Sequence, residues 1–287
     1  MKKPWWVILL LLIPGFGFVL LLIGAVITMA VAQSIGFYNF AGESQFSLEH
    51  WQQIINGDDS RRFWRAFRYS AYIASYSAIL SVIIAYPIAL WLRKPFKGSI
   101  TLSAILKAPM LVHGLVAAFL MINVISYHGF INEFMIWSGL WNTPVRMQND
   151  KLGIGVIFLQ VWKQMPFALL LLSVSVQNLS NSVLNAAQDL GAGVIARFRK
   201  VVLPLTLQSL QAALILIFIG AAGDFSFQKV AGPTAENSMA TLMIYVQTDI
   251  GDWNGAAVIA IMLMVLALFG SLAVAIVAKY VSRLAKL

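Results

Sequence analysis

Cysteine is absent from the sequence, which excludes disulfides, thiolate metal sites and cysteine nucleophiles. Charge is scarce too. Only 11% of the 287 residues are Asp, Glu, Lys or Arg and 60% are hydrophobic, whereas a soluble domain carries about 25% charged residues. Such a chain reads as a membrane protein. A Gly-rich Walker loop is missing, and so is any G-x-S-x-G element, so neither nucleotide hydrolysis nor a serine-hydrolase elbow is legible. The three histidines, His50, His113 and His128, stand far apart and form no H-x-x-x-H pair, which argues against a metal site. With no catalytic constellation, an enzyme is not expected. Fixed-period repeats and low-complexity tracts are also lacking.

What the chain does contain is apolar runs, at residues 5–32, 69–92, 102–126, 153–176, 205–225 and 255–280. Each is about 20 residues or longer, the length that crosses a hydrocarbon layer about 30 Å thick. Nothing else is long enough for a soluble domain, so residues 1–287 read as one all-α transmembrane domain with six spans. The first run ends in Ala30, Val31 and Ala32, like a signal-peptide cleavage site. It is roughly twice the length of a signal h-region, which is about 7–15 residues. A retained first helix is therefore expected, with Trp5 and Trp6 at the interface.

The net charge is +9. In a soluble protein this would suggest nucleic acid. Here the basic residues flank apolar runs, so anionic lipid headgroups are the expected partner and nucleic acid is not. With the N-terminus in the cytoplasm, the inner segments hold Lys2, Lys3, Arg93, Lys94, Lys97, Arg197, Arg199, Lys200, Lys279, Arg283 and Lys286 against the single acid Asp189, and the outer ones hold nine of the eleven acids. The positive-inside rule then puts both termini in the cytoplasm, in an inner (plasma) membrane crossed several times. Arg61, Arg62, Arg65 and Arg68 run against the trend. Asp58 and Asp59 partly offset them, and they read as a solvated interfacial face.

The segment 177–204, between the fourth and fifth runs, is soluble in character and would face the cytoplasm. Ser180 or Ser182 can cap a short helix reaching Leu190, and Gly191 supplies the backbone freedom to stop it. From Ala192 to Val202 a second helix places Val194, Ile195, Phe198, Val201 and Val202 on one side and Arg197, Arg199 and Lys200 on the other. Pro204 is expected to end that helix and open the next span. The hairpin is too small to hold a core, so its apolar residues call for a partner.

The order Ala186, Ala187, three residues, Gly191, nine residues, Val201, one residue, Leu203, Pro204 resembles the EAA loop of the permease subunits of binding-protein-dependent ABC importers. The likeness extends to Trp162 and Pro166, to the run 223–227 (GDFSF), and to Asp252 and Trp253, as in the branch for polyamines, ferric iron, thiamine and phosphonates. It covers roughly residues 66–280. The resemblance implies a type I ABC importer permease fold and an ATPase-coupling loop formed by Asn185, Ala186, Ala187, Asp189, Gly191, Val201, Leu203 and Pro204. It also implies four partners: a separate ABC ATPase carrying ATP and Mg, a second permease subunit, identical or homologous, a periplasmic solute-binding protein, and membrane lipid. No cofactor is implied on this chain. The family's leading Glu is Asn185 here, which removes a charge-assisted contact. Coupling would then rest on Asp189 and shape, or on a second permease subunit with the stronger motif.

Lys163 lies about ten residues into the fourth run, where an ionisable group costs several kcal/mol unless it faces a cavity or a partner. Pro166 opens the backbone beside it. Asp224, near the outer end of the fifth run, sits roughly two turns away in depth at 1.5 Å rise per residue, which argues against direct pairing. Lys163, Gln164, Pro166, Asn123 and Asp224 are the candidates for lining a translocation path. For Asn123, Gln164, Gln160 and His113, interhelical hydrogen bonding is an equal alternative, and Lys107 reads as a snorkelling side chain. The function expected is import of a small polar or charged solute. The alternatives are an ion-gradient-driven secondary transporter, which needs paired intramembrane ionisable residues, or a structural membrane subunit without transport.

Overall fold

The computed structural model describes residues 6–7, 12–39, 44–58, 60–234 and 236–284, with side chains as far as residue 281. Lys2, Lys3, Trp5, Asp59, Lys286, residues 5 and 8–11 of the first expected span, and the side chain of Arg283 lie outside this set. Every regular element among the described residues is helical. In chain order a π-helical turn at Ile13–Gly17 leads into α1 (Phe18–Ser34), followed by α2 (Glu49–Asn56) and α3 (Ser60–Trp91). Next come α4 (Ser99–Lys107) with a 3-10 turn at Ala108–Leu111, α5 (Gly114–Ile125), α6 (Phe130–Trp137) and α7 (Ile154–Gln177). The chain continues through α8 (Asn181–Asp189), α9 (Val194–Arg197), a π-helical turn at Phe198–Val202, α10 (Leu203–Ala222) and α11 (Ser226–Ala231). It closes with α12 (Met239–Tyr245), a π-helical turn at Val246–Ile250 and α13 (Trp253–Leu284).

Among the described residues, six stretches are long and apolar enough to cross a membrane: Ile13–Ser34, Ser60–Trp91, Gly114–Trp137, Ile154–Gln177, Val194–Ala222 and Trp253–Val281. The number agrees with the apolar runs; the second helix begins at Ser60, ahead of the run at 69–92, and two further positions differ. The third span does not cover 102–126. Pro109 sits in a 3-10 turn, His113 is extended (φ −60°, ψ 144°), and the span begins at Gly114. Proline cannot donate the helical hydrogen bond, so the apolar run is divided without any change in its hydropathy. Nor does the fifth span begin at 205. Helical backbone runs from Val194 through the π-helical turn into α10, with Pro204 at its first positions. The extra residue in a π-helical turn lets a helix pass a residue that cannot bond in the ordinary register.

The chain separates into two compact units, one formed by 1–64 with 242–262 and the other by 65–241 with 263–287. In the first unit, Trp51 Nε1 donates to Ser34 Oγ (3.3 Å) and Gln33 Nε2 to the Trp253 carbonyl (3.2 Å). His50 Nδ1 stands 3.4 Å from Asp252 Oδ1, which also accepts from the Gly255 amide (2.8 Å) at the start of α13.

The second unit holds two apolar clusters. One joins Ala74, Ala78, Val82, Ala85 and Ala89 of α3 to Leu169, Leu172 and Val176 of α7 and to Ala213, Ile217 and Phe218 of α10. Ala74, Ala78, Val82, Ala85 and Ala89 recur every three to four residues, so one face of α3 is small-sided and α7 and α10 pack against it, which is how apolar helices associate in lipid. The other cluster gathers Ala117, Ile125, Val156, Leu159 and Phe227 where α5, α7 and α11 meet. Below it, Asn132 is fully buried. Its Nδ2 donates to the carbonyls of Ser126 (3.0 Å) and Val145 (2.9 Å), and its Oδ1 accepts from the Val145 amide (2.7 Å). One side chain therefore closes the loop after α5 onto the loop after α6. Asn132→Ala is expected to strand these three backbone groups at roughly 1–3 kcal/mol each, lowering the thermal unfolding midpoint in detergent and opening 138–150 to protease. An unchanged midpoint would show that the loops hold without this clamp.

Candidate functional site

The hairpin between the fourth and fifth spans is built on one glycine. α8 ends in a Schellman motif, in which the Ala192 amide donates to the Ala187 carbonyl (3.0 Å) and the Gly191 amide to the Gln188 carbonyl (2.8 Å). This geometry puts Gly191 at φ +83°. A Cβ there would meet nothing within 4 Å, so backbone conformation rather than space demands glycine. Ser180 occupies the cap position without bonding the helix, its hydroxyl instead meeting Ser182 Oγ at 2.6 Å. Arg197 Nη1 donates to Gln188 Oε1 (2.7 Å) and ties the two short helices together.

The apolar residues of the hairpin divide into two sets rather than the single face expected. Leu184 and Phe198 pack partly buried against the α3, α7 and α10 cluster, and Val202 is buried within it. Leu190 is 89% exposed, and Val194 and Ile195 are 74% exposed each. Asn185, Ala186 and Asp189 are exposed, while Ala187, Val201, Leu203 and Pro204 are half-buried. Asn185 and Asp189, four residues apart, share a helix face and hydrogen-bond to no described residue. The outer side of the knob therefore pairs an apolar tip with two free polar groups, while its inner side is rooted in the core.

Two groups hold that root. Arg93, in the turn after α3, donates Nε to the Val176 carbonyl (3.1 Å) and Nη2 to the Leu179 carbonyl (2.6 Å) and to Asn181 Oδ1 (2.7 Å). A cation at a helix C-terminus satisfies its last carbonyls and opposes its dipole. On the other side the Tyr86 ring meets Phe198 edge to face at 5.5 Å, and its hydroxyl bonds Thr206 Oγ1, which returns to the Val202 carbonyl at 2.9 Å. Arg93 counts in the sequence only as one more inner charge, and Tyr86 carries no signal beyond the apolar run around it.

Among the candidate path residues, Lys163 and Asp224 are engaged locally. Lys163 donates its ammonium to the carbonyls of Pro109 (2.8 Å), Met110 (3.3 Å) and Val112, so it caps the broken end of α4. The Pro109 carbonyl also takes the Val112 amide (3.3 Å), whereas those of Met110 and Val112 rely on the ammonium among the described residues. Asp224 lies past the fifth span, which ends at Ala222. Its Oδ2 accepts from the Phe227 amide (2.9 Å) at the start of α11, and no ion pair joins it to Lys163 among the described residues. Gln164 reaches Gly220, where a Cβ would come within 3.1 Å of its Nε2. Pro166 is buried inside α7, and Asn123 is exposed on α5.

Lys163→Met is expected to leave the Met110 and Val112 carbonyls without donors at roughly 1–3 kcal/mol each and to lower the unfolding midpoint by several degrees, with Lys163→Arg intermediate. Lost transport with an unshifted midpoint would instead assign Lys163 to the solute. Arg93→Ala should loosen the hairpin, read as severalfold faster tryptic cleavage at Arg197, Arg199 and Lys200. Arg93→Lys should restore only part of the protection, since one nitrogen replaces a planar fork. Equal cleavage in all three proteins would remove Arg93 from the anchor.

No family model matches the chain. Among characterised proteins it is 27% identical over 224 residues to the spermidine/putrescine transport system permease protein PotB of Escherichia coli (strain K12), covering 77% of this chain and 78% of that one. It is 27% identical over 236 residues to the trehalose/maltose permease MalF of Thermococcus litoralis (80% and 78% covered). The sulfate permease CysT of Salmonella typhimurium is 26% identical over 220 residues (76% of each). In fold the chain is similar to a bacterial ABC transporter involved in the import of alginate, with a TM-score of 0.73, 16% identity and 96% of both chains covered. The same likeness holds for the bacterial alginate ABC transporter in complex with its alginate pentasaccharide-bound periplasmic protein, at a TM-score of 0.71, 17% identity, and 98% and 96% covered. The relatives are transport subunits rather than enzymes and span the inner membrane. In sequence the chain is similar to permease proteins of polyamine, trehalose/maltose and sulfate transport systems, in fold it is similar to a bacterial ABC transporter, and its six long apolar helices among the described residues are those of a multi-pass membrane protein.

Proposed function

We propose that the hairpin at 177–204 is the site at which a separate ABC ATPase drives this permease, and that the solute moved is small and polar or charged. The observation that carries the reading is the pairing of an exposed tip (Leu190, Val194, Ile195) with a rooted base (Leu184, Phe198, Val202) on one knob. An even number of crossings would put both termini and the segment after the fourth span on one side, and the six candidate spans among the described residues support this. The concentration of Lys and Arg there supports the cytoplasm. ATP and Mg belong to the ATPase, and this chain needs no cofactor.

The tip would enter a cleft on the ATPase, with Asp189 and Asn185 donating or accepting at its rim. Continuous helical backbone from Val194 to Ala222 carries any displacement of the tip into the fifth span. Arg93 spreads the same displacement to the end of α7 and the turn after α3. Alternating access follows if the two nucleotide states of the ATPase hold the hairpins of two permease subunits at different separations. A solute-binding protein delivers solute from outside. The polyamine permeases among the relatives support the branch for polyamines, ferric iron, thiamine and phosphonates. A secondary transporter is disfavoured because Lys163 spends its ammonium on backbone carbonyls.

Co-purification from detergent tests the reading. Gly191→Val forces a β-branched residue to φ +83° and is expected to weaken ATPase retention roughly five- to thirty-fold. Gly191→Asn, which tolerates that region, should retain most of it. Equal loss for both would make the contact steric rather than conformational. Full uptake with no ATPase present would refute coupling.

A further inference from the structure

Between α4, the end of α7 and the turn after α3 lies a half-open cavity of about 550 Å³. Its polar lining has one sign of charge. Arg93 and Lys107 are cationic, Ser99, Ser103, Ser173 and Gln177 are neutral donors, and no carboxylate lines it. Ser173 is only 7% exposed and hydrogen-bonds to no described residue, so its hydroxyl has only the cavity to turn to. Lys107 is half-buried and likewise pairs with no described residue. Arg93 spends three of its five N–H donors on Val176, Leu179 and Asn181, which leaves both hydrogens of Nη1. The Ser173 hydroxyl is a donor held at the cavity wall with no protein acceptor among the described residues, and two cations lining one cavity without a counter-charge repel. One anion with several acceptor oxygens answers both.

We propose that this cavity binds a phosphate-class anion, whether the headgroup of an anionic phospholipid or free phosphate. Lys107 supplies charge from the end of α4, Arg93 offers Nη1, and the hydroxyls of Ser103 and Ser173 donate to the remaining oxygens. Basic pockets between membrane helices hold anionic headgroups in this way. Because the same guanidinium grips Asn181 at the start of α8, an occupied cavity also stiffens the root of the hairpin.

The test uses the full chain in lipid nanodiscs. Phosphatidylglycerol is mixed into phosphatidylcholine, and the lipid that stays bound is read by native mass spectrometry. In parallel, the detergent-solubilised chain is titrated with inorganic phosphate and its unfolding midpoint followed. Phosphatidylglycerol should be retained over phosphatidylcholine. Lys107→Gln should weaken that preference roughly fivefold, the equivalent of about 1 kcal/mol for one cation. Ser173→Ala should weaken it less. Lys94→Gln with Lys97→Gln, both exposed and outside the cavity, should change nothing. A midpoint raised by phosphate with no preference between the lipids would assign the site to the free anion and still support the proposal. Equal loss in the Lys94 and Lys97 double variant would reduce the effect to general surface charge and overturn it. Indifference to both probes would overturn it as well. If Lys107→Gln fails to fold, Ser173→Ala and Ser103→Ala carry the same comparison.

Discussion

A carbonyl without a hydrogen-bond donor in hydrocarbon costs several kcal/mol, and the second unit is arranged around paying that debt where its helices break. The break after α4 exposes carbonyls at Pro109, Met110 and Val112, and the ammonium of Lys163 covers all three. The end of α7 exposes those of Val176 and Leu179, and the guanidinium of Arg93 covers both. Each cation stands where the regular helical hydrogen bonding is interrupted. The breaks permit what unbroken spans could not, namely a third span set back to Gly114 and a hairpin that leaves the bundle and returns to it.

The hairpin follows from the same constraint in a different form. Its turn needs a left-handed residue, which Gly191 supplies, and its return strand of helix needs to pass Pro204 without ending. The π-helical turn at Phe198–Val202 allows that passage. Thr206 and Tyr86 add the local hydrogen bonds that hold the widened turn against the core. A knob attached by one continuous helix and one guanidinium transmits displacement, whereas a knob on a flexible loop would absorb it. In the proposed coupling, transport would depend on stiffness at the root and exposure at the tip.

Much of this was legible in the residues. The count of six spans follows from run length, and the hairpin from a polar interval holding Gly191 and a spaced set of small and apolar residues. The third span was misplaced because Pro109 lies inside an uninterrupted apolar run, and hydropathy has no term for a missing amide. The fifth was started too late because proline ordinarily closes a helix, and the π-helical register that accommodates Pro204 depends on what packs around it. The amphipathic face assigned to the second short helix was split because helical spacing gives neighbours on a cylinder without saying which of them meets Tyr86 and which meets solvent.

The sequence by itself determined that the chain crosses a membrane six times and carries an exposed hairpin of fixed composition, since apolar length and a glycine at one turn are local properties. Tertiary structure alone decided what the cations do. Lys163 and Arg93 each bond to carbonyls more than fifty residues away along the chain, and a charge shows no sign in sequence of which distant backbone group it will meet.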